Sequence, residues 1–180
     1  MSENRVDPTV AGLYLVGFIT LFFGLLGILT FLGNDTTDAA AAAMGLLLPV
    51  GFVLIIFAYM AGKAGNAFAT ALFAFIGVAF LGIAAGATGS PLGAYAAAIF
   101  FIIFAIVAFI IGAPKLLAIL LILVALFFLF FGFAVADGTL LFTTDASQIY
   151  AGAFGLFSFL AFIIATYLAV ALGTQKMPVF

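Results

Sequence analysis

Six long apolar runs, separated by short polar breaks, make up almost the whole chain. They cover about residues 8–32, 39–61, 66–87, 92–111, 115–136 and 148–172. Each has the length a helix needs to cross the hydrocarbon core of a bilayer, ~20 residues. The runs are continuous rather than alternating, which excludes the ~10-residue strands of a membrane β-barrel. The pattern predicts an all-α polytopic membrane protein of six transmembrane helices, with residues 1–7 and 173–180 as flanking tails. The first run is too long for a signal-peptide core and has no small-residue cleavage site, so it is expected to remain as a helix.

The breaks carry turn and cap chemistry. Asp7-Pro8 sets a capping residue before a proline at the first helical position, where a missing N–H is harmless. Gly33-Asn34-Asp35-Thr36-Thr37-Asp38 ends the first run and caps the second. Gly62-Lys63-Ala64-Gly65-Asn66-Ala67-Phe68 makes a tight turn around the one charged side chain between Asp38 and Lys115. Thr88-Gly89-Ser90-Pro91 and Gly112-Ala113-Pro114-Lys115 form two more turns, and a longer polar loop spans 137–147. Pro49 falls in the middle of the second run and is expected to kink or open that helix. The glycine pairs Gly24/Gly27, Gly82/Gly86 and Gly152/Gly155 allow close approach between helices.

Charge adds orientation. With six crossings, Arg5, Lys63, Lys115 and Lys176 all fall on one side, while Asp35, Asp38, Asp137 and Asp145 fall on the other. Basic residues are retained in the cytoplasm, so both termini are expected there, in a plasma membrane.

Composition narrows function mainly by what it lacks. Of 180 residues, 69% are hydrophobic and 6% charged, far from the roughly 25% charged of a soluble domain. The chain has no His and no Cys, and no Asp, Glu, Lys or Arg lies well inside a predicted span. Neither a nucleophile with its base nor a thiolate or imidazole metal site can be assembled. No enzyme, cofactor or metal is expected, and four basic residues are too few for nucleic acid. The polar groups at membrane depth are neutral: Tyr14, Thr20, Thr30, Tyr59, Asn66, Thr70, Tyr95, Ser158, Thr166 and Tyr167. Most suit interfacial anchoring or bonding to the helix's own backbone. Asn66 can either cap a helix or face a pore.

Asp7-Pro8-Thr9-Val10-Ala11-Gly12-Leu13 resembles the Asn-Pro-Ala-Pro-Leu-Gly-Leu signature that opens the first helix of the acetate uptake transporter family, the YaaH-type acetate/succinate permeases. Gly65-Asn66-Ala67-Phe68 resembles that family's Gly-Asn-Thr-Phe at the second turn, and Tyr167-Leu168-Ala169 with Pro178 is similar to its close. The resemblance implies a six-helix protomer, cytoplasmic termini, a homo-oligomeric ring of six surrounded by lipid, and a path for small carboxylates through each protomer. It places Asp7, Pro8, Gly12 and Leu13 along the substrate path, together with Asn66 and Phe68 of the second motif. It also implies an apolar constriction from the first, third and fifth helices, near Val16, Ile76 and Phe127. The chain departs from the pattern at Asp7, Val10 and Ala11. It also lacks the family's Gln and Glu in the second helix, where Leu54 to Ala61 are apolar, and a Glu near Leu172.

Three functions follow as expectations. The first is a channel or facilitative transporter for acetate or a similar monocarboxylate, which would use helix N-termini and neutral donors such as Thr20 and Asn66. The second is a pore for small neutral solutes. The third is a structural or lipid-organising subunit whose polar pathway has been lost.

Overall fold

The computed structural model describes residues 8–85, 91–136, 148–174 and 177–178. Six helices account for nearly all of them: α1 (Pro8–Phe31), α2 (Thr37–Lys63), α3 (Ala67–Ala84), α4 (Pro91–Ile110), α5 (Lys115–Ala136) and α6 (Gln148–Thr174). All six are long and apolar enough to cross a membrane, and no strand occurs among the described residues. This is a multi-pass, all-α membrane protein. Its shortest helix, α3, has 18 residues, about 27 Å at 1.5 Å per residue. That nearly matches the ~30 Å hydrocarbon core.

Three turns share one geometry. Gly33, Gly65 and Gly112 take φ values of +80°, +79° and +70°, a region that excludes most side chains. In each, the residue after the glycine donates its N–H back across the turn: Asn34 to Leu29, Asn66 to Ala61 and Ala113 to Ala108, at 3.1, 3.0 and 2.9 Å. These are Schellman closures, which satisfy carbonyls that a helix end would otherwise leave bare. The start of α2 is capped from within the polar stretch 33–38. Thr36, at the cap position, makes no side-chain bond to the helix; its hydroxyl lies 2.7 Å from that of Thr30. Asp35 takes over, accepting the backbone N–H and the hydroxyl of Thr37 at 3.1 and 2.8 Å. Those two bonds, the backbone one foremost, hold its carboxyl below the ordinary Asp value. The expected cap at Asp7 and the turn residues Thr88 to Ser90 lie outside the described residues.

Helices adjacent in the chain pack together, α1 with α2, α2 with α3, α4 with α5 and α5 with α6, and α6 closes against α1. The α3–α4 side is closed by rings, Phe75 against Phe100, Phe101 and Phe104 at 5.0, 5.3 and 5.7 Å. The tightest seam joins α1 to α6. A methyl carbon added at Gly27 would lie 2.6 Å from Cα of Gly155, and one at Gly24 would lie 2.9 Å from N of Phe159. Gly51 and Gly77 play the same part between α2 and α3, where such a carbon on either would lie within 2.9 Å of the other's carbonyl oxygen. Without a hydrophobic force between helices in lipid, such backbone-to-backbone packing supplies the association energy. Ser158 adds a bond across the α1–α6 seam, donating to the Thr20 carbonyl at 2.8 Å. Bonds of this kind average ~0.6 kcal/mol, so the glycines dominate.

Two local expectations are corrected. The helix α2 is continuous through Pro49, which is exposed and lines neither cavity, so it opens no site. Gly82 has open space around it, so it is no packing notch within the protomer, and its expected partner Gly86 lies outside the described residues.

Candidate functional site

Two cavities lie end to end among the inward faces of α1, α3 and α5, sharing part of their walls. The wider one, about 250 Å³, opens at the end of the bundle that carries the Lys63 turn. Thr9, Asn66 and Phe68 form part of its wall, with Pro114 from the α4–α5 turn and Leu168 and Leu172 from α6. The narrower cavity, about 30 Å³, lies deeper. A space of that size has room for roughly one or two waters, and apolar walls keep it dry. Val16, Ile76 and Phe127, one each from α1, α3 and α5, all face it. In its wall, Phe127 packs on Phe154 and Phe128 at 4.5 and 4.9 Å, and Phe23 closes on Phe154 at 5.9 Å. These rings fill the interior toward the Asp35 end.

Asn66 sits at the mouth with both ends of its amide engaged. Its Oδ1 accepts the Ala69 N–H at 3.0 Å, the N-cap bond of α3, and its Nδ2 donates to the Thr9 hydroxyl at 3.5 Å. The first bond fixes the amide plane. The second is long and bends little of the donor's capacity away from an incoming acceptor. Asn66 therefore caps a helix and faces a cavity at once. The helix N-terminus behind it adds partial positive charge in the same direction.

Thr20 belongs to the deep cavity, but its hydroxyl turns back to its own helix, at 2.8 Å from the Val16 carbonyl and 3.0 Å from that of Gly17. The polar atom is there, yet its proton is committed. Among the described residues every buried side-chain nitrogen and oxygen has a partner. Polar character is thus confined to the mouth.

Of the other expected path residues, Leu13 lines both cavities. Pro8 is buried at the first position of α1, and Gly12 lies against the ring of Phe73; neither is on a cavity wall. Asp7 lies outside the described residues. Phe68 stands edge-on to Phe104 at 6.1 Å. Sequence reasoning passed over Thr9, Leu72, Phe73 and Leu117. Its signal was available: Asn66, Ala69, Leu72, Phe73, Ile76 and Phe80 fall three or four apart, on one face of α3.

The whole chain superposes on a bacterial acetate channel, SatP, with a TM-score of 0.67. The alignment covers 98% of this chain and 100% of that one, at 17% sequence identity. The two share a fold. No protein-family model matches the sequence, and no curated protein does. The likeness therefore resides in the six-helix arrangement far more than in residue identity. SatP is a channel rather than an enzyme, and among the described residues no cluster of His, Cys, Asp or Glu suits a metal.

Proposed function

We propose that this protein is a channel or facilitative transporter for acetate or a similar small monocarboxylate, and a divergent member of the acetate uptake transporter family. The observation that carries the reading is the axial pair of cavities, polar at the mouth and apolar within, in the fold of an acetate channel. A monocarboxylate has one polar and one apolar end. The Asn66 amide and the N-terminus of α3 receive the carboxyl group, and the apolar cavity accepts the methyl group. The same reading sets both termini and Lys63 in the cytoplasm of a plasma-membrane protein, with a homo-oligomer, a hexamer by analogy, standing among membrane lipids.

Proteoliposomes loaded with buffer and exposed to labelled acetate test it. Uptake above that of empty vesicles, reduced by excess unlabelled acetate, is the expected result. Uptake equal to that of empty vesicles overturns the reading. One observation favours a second solute class: nothing in the deep cavity offers an anion a hydrogen bond. A pore for small neutral solutes would pass glycerol or urea undiminished by acetate in the same vesicles.

A further inference from the structure

The wall residues common to both cavities are four: Leu13 of α1, Leu72 and Phe73 of α3, and Leu117 of α5. They are the neck between mouth and interior. Three are leucines with flexible ends. The fourth is a flat ring that reaches across to the backbone of α1, with its Cζ in contact with Gly12. A carbon added at position 12 would lie 2.6 and 2.8 Å from Cε1 and Cε2 of that ring. The ring tip fills the space that any other residue's Cβ would occupy.

Glycine's usual reasons do not apply at this position. Gly12 is inside a helix, at no turn, and the crowding atoms belong to one aromatic side chain rather than to a neighbouring backbone. The notch at Gly12 therefore serves the ring. The ring is almost wholly buried, at 1% exposure, yet forms part of the wall of both cavities, which is the position of a partition.

We propose that Phe73 is the partition that sets the size limit on what passes between the two cavities, and that Gly12 is the residue that positions it. The ring lies in its notch with the deep cavity at about 30 Å³, too small for a carboxylic acid, so passage requires the ring to turn. Its rotation about χ1 and χ2 opens the neck without displacing backbone. The proposal rests on the conduction reading above only for the identity of the solute.

The test is a double-mutant cycle on reconstituted full-length protein: G12A, F73A and G12A/F73A, with F73L as a variant that keeps apolar bulk. Initial rates are measured for acetate, propionate, butyrate and glycerol, and each variant's elution profile reports folding. The expected result has two parts. F73A raises the rates of propionate and butyrate relative to acetate, with F73L intermediate. G12A, by forcing the ring off its rest position, changes the acetate rate about threefold to tenfold in the wild type, but has no further effect beside F73A. Equal action of G12A in both backgrounds would place its effect away from the ring, and that outcome overturns the positioning role. An unchanged size limit in F73A and F73L, with acetate still conducted, overturns the partition and leaves the conduction reading standing. Wild type that passes nothing while F73A passes small solutes keeps the partition and removes the carboxylate. Failure of every protein to pass any solute removes both.

Discussion

Asn66 shows how one side chain can serve folding and function together, and how the two can be separated. Asn66→Asp keeps an oxygen to accept the Ala69 N–H and adds a negative charge at a helix start, so thermal stability should hold or rise. The same change removes the donor that faces the cavity and opposes an approaching carboxylate. Like charges ~10 Å apart at an effective dielectric of ~20 repel by about 1.5 kcal/mol, roughly tenfold in rate. Asn66→Ala should lower both stability, by ~1 kcal/mol for a lost cap, and uptake. Thermal unfolding in detergent set beside acetate uptake reads the difference; equal uptake by wild type and Asn66→Asp would take Asn66 off the path. Residue-level roles were only partly legible in the sequence. The amide at a helix start was visible, but its second bond to Thr9, 57 positions earlier, depends on how α1 and α3 meet. The choice of the Thr20 hydroxyl for its own helix was one of two readings left open, because a helical threonine can bond its own backbone or face a neighbour.

At the scale of helices, apolar run length dictated the elements well, because a hydrocarbon slab imposes it directly. Glycine pattern was a weaker guide. Gly27 and Gly155 meet each other across the α1–α6 seam, with Gly24 against Phe159 and Gly152 against the Phe31 ring, whereas Gly82 faces open space although its spacing is equally suitable. Spacing marks a capacity for close approach, and only the partner helix decides its use. Pro49 teaches the same lesson: a proline on the outer face leaves its helix continuous. Gly155→Leu should push α6 away from Ile28 and Gly27, whose atoms lie within 3.0 Å of any added carbon. The cost exceeds the ~1–3 kcal/mol of ordinary overpacking, since backbone must move. Loss of the monodisperse folded species on size exclusion would be the readout, with Gly82→Leu as the tolerated control.

For the whole molecule, the ring of helices brings the Lys63 turn, the start of α1, the α4–α5 turn and the end of α6 to one end, and sets Asp35 and Asp38 at the other. Lys63 and Lys115 are therefore on one side of the membrane, whichever side that is. A membrane-impermeant amine reagent applied to sealed right-side-out cells should label both or neither, and neither on the cytoplasmic orientation proposed above; labelling of one alone would contradict the bundle. The order of helices around the ring has a consequence for biogenesis. The partners in the tightest seam, α1 and α6, are the two helices of the six that lie furthest apart in sequence. Until α6 has been made, α1 waits in the membrane with Gly17, Gly24 and Gly27 bare toward lipid. A nascent chain that stops before α6 leaves that groove open, so α6 acts as the clasp that closes the bundle.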